Sequence, residues 1–203
     1  MFGNLFIIAA PSGAGKTSLV KALVSSVTGV YFSVSHTTRL PRLGEQDGVD
    51  YHFVDEEVFK VMAQAGAFLE HARVFDHYYG TAYQSVSELL EQGLDVILEI
   101  DWQGGRQVRT RFPNSTSIFI LPPSQQALEG RLNLRGQDKG TVIARRMRDA
   151  RAEISHYSEF DYLIVNEEFR TALEDLSAII RSQRLLRQRQ EEKLKSLLYE
   201  LLA

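Results

Sequence analysis

Residues 5–17 read Leu5-Phe6-Ile7-Ile8-Ala9-Ala10-Pro11-Ser12-Gly13-Ala14-Gly15-Lys16-Thr17, and this stretch decides the fold. Its first five residues are a short apolar run with strand character. Just after it, Leu19, Val20, Leu23, Val24 and Val27 fall on one stripe of a helix. Strand, glycine-rich turn, Gly-Lys-Thr and helix, in that order, describe a loop that cradles phosphate. Gly13 and Gly15 let backbone N–H groups point inward with no Cβ in the way. The helix start adds unpaired donors and the positive end of its dipole. Lys16 supplies charge for the outer phosphates, and the Thr17 hydroxyl suits a Mg²⁺ ion carried by the nucleotide. Ala10 stands where the pattern usually opens with glycine, the smallest possible departure. The alternative is a chance strand–turn–helix with a surface lysine, which would have no need of this flanking context.

Outward from the loop, the apolar runs at 95–100, 116–121 and 162–165 repeat the character of 5–10 and read as buried parallel strands. A weaker fifth run lies at 31–35. Helical patterns separate several of them, which predicts an α/β fold with a parallel five-stranded sheet flanked by helices. Two stretches break the alternation. Residues 36–90 are polar, aromatic and rich in short-strand signals. Residues 124–156 are dense in arginine and read as two helices around Gly136-Gln137-Asp138, with Ser124 as N-cap after Pro122-Pro123. Residues 171–202 form one long helical pattern, either docked on its own domain or available to another copy.

The chain has 203 residues, enough for one domain with inserted subdomains and a substantial core. A net charge of −3 argues against general nucleic-acid binding, which usually needs a basic excess. Cysteine is absent, which excludes disulfides and thiolate metal sites and fits a reducing compartment. No apolar run approaches membrane-span length, and no basic segment precedes the first apolar stretch, so a cytoplasmic location is expected. The five histidines show neither metal-ligand spacing nor an obvious carboxylate partner, and structural roles are expected for them.

A phosphate loop alone identifies nucleotide binding and not a reaction. Arg39 and Arg42 sit three apart in the first inserted stretch, which also holds Tyr51 and Tyr79. Guanidinium forks pair bidentately with phosphate and phenols add directional donors, so these residues fit either a second phosphate site or a solvated loop. Arg131, Arg135, Arg145, Arg146, Arg148 and Arg151 likewise read as a wet helix surface or, beside a phosphate loop, as a mobile lid.

At this point the chain resembles the guanylate kinase family, its bacterial members above all. The shared motifs run in order over nearly the whole chain. They are the loop itself, Ser33-Val-Ser35-His-Thr-Thr-Arg39, Gly48-Val-Asp-Tyr51-His-Phe-Val and Phe68-Leu-Glu70. Then come Tyr78-Tyr79-Gly80-Thr81, Ile100-Asp101-Trp-Gln-Gly104, Arg135-Gly136, Arg145-Arg146-Met and Asp161-Tyr-Leu-Ile-Val-Asn166. The resemblance implies a nucleoside monophosphate kinase fold over residues 3–184. It also implies a GMP-binding subdomain at 36–90, a lid at 124–156 and a helical tail at 185–203. It implies transfer of the γ-phosphoryl group of ATP to GMP, with Mg²⁺ as the cofactor. It puts Arg39, Arg42, Tyr51 and Tyr79 on the GMP phosphate. Arg135 and Arg146 fall on the transferring group, with Lys16 and Arg39 as the other catalytic residues. ATP would meet residues 10–17 and, near its adenine, Asn166. The remaining GMP contacts would be Ser35, Glu70, Gly80, Thr81 and Asp101.

Guanine offers N1–H and a 2-amino group to one carboxylate, whereas adenine presents an acceptor at N1. A site built on that difference discriminates by roughly 10⁴-fold or more. Glu70 is the candidate, with Ser35 and Thr81 as hydroxyl partners. Read alone, without the resemblance, Glu70 is better taken as an exposed glutamate at a helix end. Glu99 and Asp101 close an apolar strand, where a carboxylate can hold a Mg²⁺ shell, although the family usually has aspartate at the position of Glu99. Rival readings are a kinase for another nucleobase, an inactive binding module and a nucleotide-hydrolysing switch. Small-molecule partners are expected, with no nucleic acid or membrane, in a monomer or homo-oligomer.

Overall fold

The computed structural model describes residues 2–74, 76–134 and 140–203. In chain order the first half holds β1 (Leu5–Ala9), α1 (Lys16–Ser26), β2 (Val30–Phe32), β3 (His36–Thr37), β4 (His52–Phe53), α2 (Glu56–Gln64), β5 (Phe68–Val74), β6 (His77–Ala82) and α3 (Tyr83–Glu91). There follow β7 (Asp95–Glu99), α4 (Trp102–Arg111), β8 (Thr116–Leu121), α5 (Gln125–Leu134), α6 (Gly140–Ile154), β9 (Tyr162–Val165), α7 (Phe169–Arg184), α8 (Arg187–Lys193) and α9 (Lys195–Leu202).

Strands β2-β7-β1-β8-β9 form one sheet in which every pairing is parallel. Such a sheet needs helical crossovers and cover on both faces. The twofold alternation of β1 supplies it: Phe6 and Ile8 pack with Leu19 and Leu23 of α1 and Leu176 and Ile180 of α7. Ile7 and Leu5 turn the other way, onto Val86 and Leu90 of α3 and Val108 of α4. All residues of β1 are buried, as the centre of the sheet requires. β9 departs from expectation. It is an edge strand bonded only to β8, and of its residues only Ile164 is buried. Because β1 lies between β7 and β8, the chain turns to opposite sides at its carboxyl end. That switch point opens the crevice where such sheets bind ligands.

A second sheet, β4-β3-β6-β5, is inserted between β2 and α3. It is mostly antiparallel, and Phe59 of α2 stacks on Phe68 and Tyr78 beneath it at 4.5 and 5.5 Å. Helices α5 and α6 pair through a small cluster of Leu128, Leu132 and Ala150. Ser124 caps α5 by accepting the Ala127 N–H at 3.0 Å.

The tail is not one helix. The chain leaves helical geometry at Leu186, between α7 and α8. Tertiary bonds explain the break. Arg184 is held by Asp95 at 2.7 Å, while Arg189 reaches back to the Phe2 and Gly3 carbonyls at 2.8 and 3.3 Å. A straight continuation could not satisfy both arginines, so local helix propensity yields. No described helix is long and apolar enough to cross a membrane.

Candidate active site

The phosphate loop joins β1 to α1, with Gly13 at φ 93° and Gly15 at φ 92°. Residue 10 is not among the positive-φ positions, so alanine fits there without strain. A Cβ at Gly15 would collide with the side-chain amide of Asn166. That amide donates to the Ala14 carbonyl at 2.7 Å, and Arg131 donates to the Asn166 carbonyl at 2.8 Å. Asn166 and Arg131 thus brace the loop from behind, fixing one carbonyl outward. Ala10, Pro11, Ser12, Gly13, Gly15, Lys16 and Thr17 face a cavity at the switch point. Ala14 and Asn166 are buried behind it.

At the end of β7, Glu99 meets both functional side chains of the loop. Lys16 Nζ lies 3.6 Å from its carboxylate, and the Thr17 hydroxyl donates to the same oxygen. A hydroxyl beside a carboxylate suits Mg²⁺, which takes one or two protein oxygens and completes its shell with phosphates and water. Among the described residues no group of three or more acidic or histidine side chains could hold a metal by itself. The donor set therefore fits an ion that arrives with a nucleotide.

The inserted sheet closes the other side of the same cavity with Ser35, Arg39, Arg42, Tyr51, Glu70 and Tyr79. Arg39 lies over the Tyr51 ring at 5.4 Å and pairs with Glu45 at 2.9 Å. Glu45 also accepts the Arg42 backbone N–H at 2.8 Å. Burial, with the negative charge of Glu99 adding to it, pushes the Tyr51 phenol up to about 12, so it stays a donor near neutral pH.

Glu70 is on strand β5 and only 3% exposed, which overturns the exposed helix-end alternative. The β5–β6 register shifts between Phe68 and Glu70, an irregularity of the kind that re-aims a side chain. Thr81 donates to Glu70 Oε1 at 2.7 Å, and Ser35 lies 3.1 Å from Thr81. A hydroxyl has one proton, so Thr81 must accept from Ser35. Thr81 is fully buried and acts through Glu70. Gly104 lets α4 come close, since a Cβ there would strike the other Glu70 oxygen. Burial pushes the Glu70 carboxyl up to about 7 against the Thr81 hydrogen bond, with Asp101 adding to the rise. Asp101 lines the cavity and caps α4 through the Gly104 N–H at 2.9 Å. Gly80 does not line the cavity; a Cβ there would press on Phe59, Phe68 and His71 at 3.0–3.1 Å.

A phosphate loop and a buried carboxylate with hydroxyl partners therefore open into one crevice. The family profile described as guanylate kinase matches residues 3–183. The chain belongs to the guanylate kinase family. It is 67% identical to the guanylate kinase of Nitrosococcus oceani over 202 residues, covering all of both chains. It is 56% identical to that of Alkalilimnicola ehrlichii, again over the whole of both. The crystal structure of guanylate kinase from Anaplasma phagocytophilum superposes with a TM-score of 0.80 at 32% identity, covering 96% of this chain and 95% of that one.

The arginines expected in a lid divide. Arg146 on α6 lines a neighbouring cavity with Thr17, Arg39 and Glu99. Arg135, with Gly136 and Lys139, lies outside the described residues. Arg145 stands 3.5 Å from Asp76 in the β5–β6 turn, a contact from the lid to the inserted sheet. Glu153 was missed by sequence reasoning. It lies seven residues after Arg146 on α6 and faces the loop, and helical spacing from Arg146 was the one available signal. Glu45 was missed too. His156, expected to lack a carboxylate partner, bonds Glu159 at 2.7 Å and stacks on Trp102 at 3.6 Å. Glu159 is held down to about 2 by its hydrogen bonds from Arg106 and then His156. This cluster pins the base of the lid to α4.

Proposed function

We propose that this guanylate kinase family member transfers the γ-phosphoryl group of Mg²⁺-ATP to GMP, giving ADP and GDP. One observation carries the reading: the phosphate loop and Glu70 face each other across a single cavity that also holds Arg39, Arg42 and Tyr51. A nucleotide-hydrolysing switch would have no use for that second half.

In the transfer, the bond from the γ-phosphorus to the β,γ-bridging oxygen breaks and that oxygen leaves on ADP. A phosphate oxygen of GMP forms the new bond. The second pKa of a phosphomonoester is about 6, so the nucleophile is already anionic and no general base is needed. The cost lies in bringing two anions together and in line. Lys16 neutralises the donor, and Arg39 and Arg42 hold the acceptor with Tyr51 and Tyr79 as donors. Arg146 and Arg135 complete the charge balance from the lid. Thr17 and Glu99 are the residues that would hold Mg²⁺, which would supply screening of phosphate charge there. Glu70 takes the two guanine donors, with Asp101 beside it.

The test is a panel of GMP, AMP, CMP and dTMP as acceptors with Mg²⁺-ATP, read by ADP release. GMP should be the strongly preferred acceptor. A different preferred base would overturn the assignment of Glu70. ADP release that does not depend on any acceptor would favour the hydrolytic switch.

A further inference from the structure

Glu153 places a carboxylate on the phosphate loop. Its Oε2 accepts the Ser12 N–H at 3.1 Å, joining α6 to the loop across 141 residues of sequence. It lines the same cavity as Lys16, Glu99 and Asp101. Inward N–H groups of such a loop are receptors for anionic oxygen. A carboxylate offers the same acceptor chemistry as one edge of a phosphate. The acceptor side has a related arrangement, since Glu45 accepts from the Arg39 guanidinium, which is assigned to the GMP phosphate, and from the Arg42 backbone N–H.

We propose that Glu153 is a positioning residue that occupies the Ser12 N–H in place of a donor phosphate, holding α6 on the loop until ATP displaces it. The inference rests on the ATP reading of the loop given above. Arg146 and Glu153 are two turns apart on one helix, so displacing one carries the other. Arrival of the nucleotide thereby frees the helix that delivers the lid arginine. The groups acting on Glu153 fit a carboxylate that is easily exchanged. Burial pushes it up to about 7, opposed by the Ser12 N–H and by Lys16, while Asp101 and Asp149 add negative charge around it. Binding then requires breaking the Ser12 contact, so the apparent ATP affinity is the intrinsic one multiplied by the fraction of molecules in which that contact is already open.

The experiment is titration of Mg²⁺ and β,γ-imido-ATP into the wild type, Glu153→Gln and Glu153→Ala, by calorimetry without GMP. The neutral variants should bind the analogue more tightly, by about three- to tenfold on the scale of one partly screened charge. In turnover, KM for ATP should fall while KM for GMP stays constant. A purely structural role would give unchanged or weaker binding, and that result overturns the proposal. A second measurement does not depend on the variants folding: in a crystal structure of the wild type with the analogue and Mg²⁺, the Glu153 carboxylate should have left the Ser12 N–H. A retained contact overturns the proposal as well. Failure of the wild type to bind the analogue at all would overturn the ATP reading itself, which separates the two.

Discussion

At the scale of single residues, Glu70 is the side chain proposed to choose the base. Glu70→Leu should raise KM for GMP steeply and narrow the preference over AMP, measured by steady-state kinetics. Unchanged specificity would mean that guanine is read elsewhere. The ionised carboxylate is the form that can accept both guanine donors, and burial pushes its titration up to about 7. Binding therefore expels a proton, and affinity should fall as pH drops below about 7. Guanosine is the probe, because it has no phosphate to titrate; an affinity flat from pH 8 to 6 would contradict the assignment. The same carboxyl affects folding. Its folded value lies above the ordinary 4.5, so its contribution is complete below about pH 4.5 and is lost as pH rises toward 7. The loss amounts to about 3 kcal/mol at 1.36 kcal/mol per unit. The melting temperature of the ligand-free protein should show this decline, and Glu70→Gln should flatten it. Sequence reached Glu70 only through resemblance. A glutamate becomes buried and oriented because β6 brings Thr81 against it and α4 brings Gly104, and no local pattern announces either.

At the scale of elements, the loop was legible because all its determinants are adjacent in sequence. The strand and the helix stripe appear as expected, and the glycines that need positive φ are Gly13 and Gly15. Gly15→Ala should be severe. It forces an L-residue to φ 92° and drives a methyl into Asn166. Left-handed backbone alone costs roughly 1–2 kcal/mol, and the clash adds to it. Thermal denaturation should show at least that loss, together with loss of ATP-analogue binding; a wild-type melting curve would refute the brace formed by Asn166. Elements whose form depends on distant partners were less legible. The tail breaks at Leu186 between Arg184 and Arg189, which are tied to different parts of the chain, and among the described residues β9 is an edge that pairs with β8 alone. Glu153 and Glu45 escaped notice for the same reason, as each is defined by what it touches in space.

At the scale of the whole molecule, the parallel sheet supplies one floor and two inserted stretches supply the walls. The lid already meets the loop through Arg131 and Glu153 and meets the inserted sheet through Arg145 and Asp76. In the proposed reaction, closing these walls would align two phosphates and exclude water, limiting wasteful hydrolysis. Arg146→Ala should consequently lower kcat by a large factor, on the order of 10²-fold or more for a lost transition-state donor, with GMP affinity nearly intact. Equal kcat values would remove Arg146 from the mechanism. The proposed reaction is an end-to-end meeting of two nucleotides in this crevice with transfer of one phosphoryl group between them. It is tested most directly by following labelled γ-phosphate from Mg²⁺-ATP in the presence of GMP. The label should appear in the β-position of GDP at the rate at which ADP forms; label found only in inorganic phosphate would contradict the account.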